Sequence, residues 1–164
     1  MKIIKLTPAE QIGKILTTNH LTLSTTESCT GGLLSSKLTD VAGSSNYIKL
    51  NFVTYCNEAK HQILGVSEST LKQFGAVSQE CSIEMAQGLH NITGSDICIS
   101  TTGTAGPSGA DGKPAGVMFS TICGLGQQIS FEVNLPCDTP RIKMKEQFTQ
   151  SVINKLYEFL QQNC

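Results

Sequence analysis

The chain has 164 residues, enough for one domain to bury a core without disulfide or metal staples. It is 39% hydrophobic and 15% charged with a formal net charge of −1, so it lacks the basic excess that nucleic-acid binding draws on. No apolar run reaches the ~20 residues that span a bilayer, and Met1-Lys2-Ile3-Ile4-Lys5 turns polar too early for a secretory signal, so the expected location is the cytoplasm.

The first helix opens at Thr7-Pro8-Ala9-Glu10, where Thr7 caps, Pro8 suits the first turn and Glu10 completes a capping box. Ile12, Ile15 and Leu16 form its apolar stripe, and Asn19 suits its end. Leu21 to Thr26 reads as a Thr-rich strand that runs into Glu27-Ser28-Cys29-Thr30-Gly31-Gly32 and a helix carrying Leu33, Leu34 and Leu38. Tyr47 to Tyr55 alternates, which predicts a strand with Ile48, Leu50 and Phe52 on one face. Asn57 then caps a short helix with Lys60, Ile63 and Leu64, closed by Gly65. Ser67 to Phe74 forms another short helix, stopped by Gly75. Ser78 caps a longer one with Ile83, Ala86, Leu89 and Ile92 inward.

Asp96 to Thr102 has the character of a buried strand, followed by a glycine-rich loop from Gly103 to Gly112. Val117 to Cys123 and Ile129 to Leu135 read as a strand pair around Gly124-Leu125-Gly126. The last helix starts near Thr139-Pro140 and keeps Phe148, Val152, Leu156, Phe159 and Leu160 on one side. Early alternation of helix and strand argues for parallel strands, and the late hairpin for one antiparallel strand. A single-domain three-layer α/β/α sandwich with a mixed, mostly parallel sheet fits both.

Three segments carry candidate chemistry. At Glu27 to Gly32 a hydroxyl sits where a strand turns into a helix, and the amides there suit a phosphate or an oxyanion; the plainer reading is a helix start capped by Ser28 or Thr30. With Asn57 as N-cap, Lys60 falls at the third helical position, against the positive end of the helix dipole, an odd place for a lysine chosen for stability. Partly buried there, it becomes a candidate general base for Ser28; on the plainer reading it is a solvated surface lysine. The Tyr55 hydroxyl either relays a proton or finishes a core ring with a wet tip. The loop from Thr102 and Gly103 through Gly106 ends a buried strand, where open α/β sheets bind ligands, although a flexible connection has the same composition. His61 points roughly 100° away from Lys60 and reads as a surface residue. The seven cysteines show no C-x-x-C spacing, and His20, His61 and His90 are scattered, so no metal is expected.

Together these stretches resemble the CinA C-terminal family, which includes the stand-alone PncC deamidases. The resemblance is carried by Thr26-Glu27-Ser28-Cys29-Thr30-Gly31-Gly32, Asp40-Val41-Ala42-Gly43-Ser44-Ser45, Phe52-Val53-Thr54-Tyr55-Cys56-Asn57-Glu58-Ala59-Lys60, Leu64-Gly65-Val66, Gly75-Ala76-Val77-Ser78, Gly103-Thr104-Ala105-Gly106-Pro107-Ser108-Gly109 and Lys113-Pro114-Ala115-Gly116, in family order. It implies the α/β/α fold, the stand-alone form without the N-terminal domain of full CinA proteins, and hydrolysis of the carboxamide of nicotinamide mononucleotide without a cofactor. It also implies Ser28 as nucleophile, Lys60 as its base and Tyr55 as a helper. Substrate contacts are then expected from Cys29, Thr30, Gly31 and Gly32, from Thr102, Gly103 and Gly106, and from Arg141. One segment departs from the family. Where members carry Gly-Asp-Arg and a second Arg, this chain has Cys137-Asp138-Thr139-Pro140-Arg141-Ile142-Lys143, with Thr139 and Lys143 at the arginine positions and Arg141 displaced between them. The rival expectations are a nucleotide-binding module of the same fold with weak or no turnover, a serine–lysine hydrolase of other substrates, and a structural protein in which Ser28 only caps. A symmetric homodimer is the default oligomer.

Overall fold

The computed structural model describes residues 6–164; the segment read above for a secretory signal lies outside them. The chain folds in the order α1 (Pro8–Thr18), β1 (Leu23–Glu27), α2 (Leu33–Thr39), a 3-10 turn (Ser44–Asn46), β2 (Ile48–Val53), α3 (Asn57–Leu64), α4 (Glu68–Gln73), α5 (Gln79–Thr93), β3 (Ile97–Thr104), β4 (Val117–Gly124), β5 (Gln127–Asn134) and α6 (Arg141–Asn163). The five strands form one sheet in the order β2-β1-β3-β4-β5. β1 is parallel to β2 and to β3, while β4 runs antiparallel to both β3 and β5. The expected mixed, mostly parallel sheet is present, with β4 as its one reversed strand.

Side chains alternate across β3 and so divide the core. Ile97 and Ile99 join the cluster built with Ile12 and Leu16 of α1, Leu34 and Leu38 of α2, and Phe148, Val152 and Leu156 of α6. Cys98 faces the other way, onto Leu64, Val66, Met85 and Leu89 at α3 and α5. Helices cover both faces, which makes the three layers. The capping box at Thr7 and Glu10 starts α1 as read from the sequence. The hairpin turns on Leu125 and Gly126, both at positive φ (52° and 73°), the two-residue geometry that matches strand twist.

Three local expectations are corrected. Leu23 stands opposite Ile48 but Thr25 opposite Asn51, so β2 carries an extra residue there. That bulge switches the inward face: Ile48 packs against the first cluster, Phe52 against the second, and Leu50 is exposed. In α5 the buried face is Cys81, Ser82, Met85, Ala86, Gly88 and Leu89, with Ile83 only half-buried and Ile92 exposed. Small residues choose that face because α3 approaches closely: a Cβ on Gly88 would lie 1.8 Å from the Leu64 carbonyl oxygen. The third correction lengthens β3, which runs through Gly103 to Thr104, with Gly103 paired to Met118.

β1 is buried throughout although most of its residues are polar. Its hydroxyls find partners: Ser24 bonds Ser95 (2.7 Å), Thr25 bonds Ser35 (2.8 Å) and Thr26 bonds Thr54 (3.0 Å). These bonds tie β1 to its surroundings just below the point where it delivers Ser28.

Candidate active site

The parallel strands β2, β1 and β3 end side by side, and their ladders continue one residue beyond the strands. Ser28 N–H donates to the Thr101 carbonyl (2.9 Å) and Thr54 N–H to the Glu27 carbonyl (2.9 Å). Ser28 and Thr54 are therefore fixed by the sheet itself. After Tyr55 the chain turns into α3, capped by Cys56, whose sulfur accepts from the Ala59 amide (3.4 Å); Asn57, expected as the cap, is the first helical residue. The thiol takes the role because it lies one residue nearer the strand end. Lys60 thus sits one position deeper than expected and turns inward, 1% exposed.

Lys60 Nζ has three polar neighbours: the Thr54 carbonyl at 3.0 Å, the Tyr55 carbonyl at 3.1 Å and Ser28 Oγ at 3.0 Å. The carbonyls can only accept, so they hold two N–H bonds of the amine. The third direction meets a hydroxyl, which donates or accepts as the amine is neutral or charged. Neutral Lys60 therefore aims its lone pair at the Ser28 proton. Burial pushes the Lys60 pKa below the ordinary lysine value; the neighbouring Cys81, Cys56, Cys29 and Asp111 act in the opposite sense when charged. Burial also pushes the Cys29 and Cys81 thiols up to about 12, so both are neutral at physiological pH. Cys29 therefore offers no thiolate beside the Ser28 hydroxyl.

Neither Ser28 nor Thr30 caps α2. That task falls to Glu27, a fully buried carboxylate accepting from the amides of Gly32 (3.0 Å), Leu34 (3.0 Å) and Ser35 (2.8 Å) and from the Thr30 and Ser35 hydroxyls. Gly31 N–H donates to the Ser28 carbonyl (3.0 Å). The amides of Gly31 and Gly32 are thus spent, whereas that of Cys29, a residue of the cavity wall, meets no acceptor on another described residue. The Cys29 amide is placed to meet negative charge developing beside Ser28. Glu27 was missed in the sequence because it caps from five residues before the N-cap Gly32, reaching around a turn instead of from the usual adjacent position.

A cavity of about 360 Å³, within the range of small-molecule sites, opens over Ser28 and Lys60. It brings together Ser28, Cys29, Tyr55, Lys60, Thr102, Gly103, Gly106 and Arg141 of the expected set. Thr30, Gly31 and Gly32 do not line it: the Thr30 hydroxyl is buried between Glu27 and Thr101, and the space next to Gly31 holds Lys145 Nζ. Gly103 serves the sheet, since an added Cβ would lie 2.5 Å from the Val117 carbonyl oxygen. The Tyr55 hydroxyl bonds Arg141 (2.9 Å) rather than Ser28 or Lys60, so the tyrosine touches the dyad through its carbonyl alone. Arg141, at the start of α6, also donates to the Gly106 carbonyl (2.6 Å), which clamps it across the mouth. Lys143 pairs with Glu146 (2.9 Å) outside the lining. His61 bonds the Val66 carbonyl (2.7 Å), away from the cavity. Asn57 and Asp111 complete the polar wall and were missed, because Asp111 comes from a loop whose path no sequence pattern fixes.

The model of the CinA C-terminal domain matches residues 5–160. The chain belongs to the CinA C-terminal domain family. This CinA domain is 42% identical over 157 residues to a CinA-like protein of Chlorobium limicola, covering 93% of the chain and 37% of that relative. It is 44% identical over 140 residues to a putative competence-damage inducible protein of Clostridium novyi, covering 85% of the chain and 34% of that relative. The domain thus spans little more than a third of these curated relatives. Among solved structures it resembles a CinA superfamily protein of Klebsiella pneumoniae, with a TM-score of 0.89, 31% identity and coverage of 94% of this chain and 96% of that one. A competence/damage inducible protein of Agrobacterium tumefaciens gives a TM-score of 0.83 at 33% identity, covering 95% and 97%. The CinA domain's described residues include no helix long and apolar enough to cross a membrane.

Proposed function

We propose that this chain is a nicotinamide-nucleotide amidase, hydrolysing the carboxamide of nicotinamide mononucleotide to nicotinate mononucleotide and ammonia. The observation that carries the reading is the 3.0 Å contact between the Ser28 hydroxyl and a buried lysine held by two carbonyls. Neutral Lys60 takes the Ser28 proton as the oxygen attacks the carboxamide carbon. The resulting oxyanion is met by the free amide of Cys29. Lys60 returns the proton to the leaving nitrogen, the C–N bond breaks and ammonia departs. Water then enters, gives its proton to Lys60 and attacks the ester; the C–O bond breaks and Ser28 recovers its proton. Arg141 is assigned to the 5′-phosphate at the mouth. The proposed setting is cytoplasmic pyridine-nucleotide recycling.

One observation favours a second reading, a nucleotide-binding module without turnover. Lys143, at a family arginine position, is engaged by Glu146 instead of the cavity. Ammonia release from the mononucleotide by wild type, Ser28→Ala and Lys60→Ala, each checked for folding, separates the two. Release lost in both variants is the amidase outcome. No release from any of the three, with the nucleotide still raising the melting temperature, is the binding-module outcome.

A further inference from the structure

The cavity holds two opposite charges that do not neutralise each other. Asp111 is the one carboxylate in the described lining, and Arg141 sits at the Tyr55 and Gly106 side. Asp111 is held instead at the Gly75 and Val77 side: its Oδ2 accepts from the Val77 amide (2.9 Å), and an added Cβ on Gly75 would lie 2.7 Å from its Cβ. Neither Asp111 nor Arg141 belongs to an ion pair among the described residues.

The fold needs only part of what Asp111 supplies. Holding the Val77 amide takes one neutral acceptor, and the positive φ of 52° suits asparagine as well as aspartate. The negative charge is surplus to both tasks. It also acts on Lys60 against the effect of burial, a cost to a base that works neutral. A charge that the loop does not use and the base does not want points to a ligand.

We infer that Asp111 is a specificity-determining residue that receives a cation, so that the cavity selects a ligand with a positively charged ring beside the carboxamide and an anionic group at the far end. This rests on the amidase reading of the same site and deepens it: the charge of Asp111 separates the cationic ring of that substrate from the neutral dihydropyridine form, which is discriminated against.

The test measures binding by calorimetry in Ser28→Ala protein, where no turnover intervenes. The ligands are oxidised nicotinamide mononucleotide, whose ring is cationic, and its reduced form, neutral and of similar outline. Ser28→Ala is expected to prefer the oxidised form. Adding Asp111→Asn, which keeps an acceptor for Val77, is expected to weaken the oxidised form about tenfold and leave the reduced form nearly unchanged. An unchanged preference in the double variant overturns the role of Asp111 while the amidase reading stands. Binding of neither form by Ser28→Ala overturns that reading and this one with it. Should the double variant not fold, Ser28→Ala alone decides: its preference for the oxidised form must shrink as salt rises, and a salt-independent preference overturns the inference.

Discussion

Lys60 carries an energetic cost that its position explains. An ammonium 1% exposed gives up its hydration, and three polar neighbours return only part of it. Its folded pKa lies below the unfolded ~10.4, so between those two values the unfolded chain binds the extra proton and stability rises with pH. Lys60→Met removes that group and is expected to flatten this part of the stability–pH curve, while lowering turnover by 10²-fold or more, read by denaturant titration and ammonia release. A Lys60→Met protein that keeps the wild-type pH slope contradicts the assignment. At this scale the sequence was informative where residue type limits the options. Ser28 at a strand-to-helix turn and a lysine in the first turn of a helix marked themselves as unusual. Tyr55 was singled out for its hydroxyl, yet it is the carbonyl that holds Lys60. Every residue has a carbonyl, so no side-chain pattern could have announced that contact.

Two elements position Ser28, and both have a testable weak point. Glu27 saturates the N-terminus of α2 with one carboxylate, so Glu27→Ala strands the Gly32, Leu34 and Ser35 amides. The Leu34 amide is buried and those of Gly32 and Ser35 are part-buried; a buried orphan costs on the order of 1–3 kcal/mol and a wetter one less, so a loss of a few kcal/mol of unfolding free energy in urea is expected. Gly103→Ala places a methyl 2.5 Å from the Val117 carbonyl, which the β3–β4 ladder must spread to admit. A loss of about 1–3 kcal/mol is expected by the same measurement, and a neutral result contradicts the close approach. Element order was legible because α1, α4 and α5 begin at the Thr7, Ser67 and Ser78 caps and the longer helices carry an apolar stripe. What stayed hidden depends on pairing: the β2 bulge exists only relative to β1, and the buried face of α5 is set by how near α3 comes to Gly88.

Across the whole molecule the site draws on distant parts of the chain. Ser28 follows β1, Lys60 lies in α3, Thr102 and Gly103 lie near the end of β3, and Arg141 begins α6. Helices on both faces of the sheet must dock before the cavity exists. The family pattern alone left Arg141 as a displaced substitute; α6 brings it to the Tyr55 hydroxyl and the Gly106 carbonyl. Arg141→Ala is therefore expected to raise KM about tenfold with kcat changed less. Arg141→Lys should recover little, since an ammonium does not reproduce a guanidinium spanning two acceptors. Equal loss of kcat and kcat/KM in Arg141→Ala would assign the arginine to the transition state and not to binding.

The most direct test of the central claim is the pH dependence of kcat/KM for ammonia release from nicotinamide mononucleotide. The geometry of Ser28 and Lys60 requires a rate that rises along a single ionisation below the ~10.4 of an unperturbed lysine and then levels, as burial lowers the Lys60 pKa. A rate flat from about pH 6 to 10, or a residual Lys60→Ala activity with the same rise, would show that another group takes the Ser28 proton.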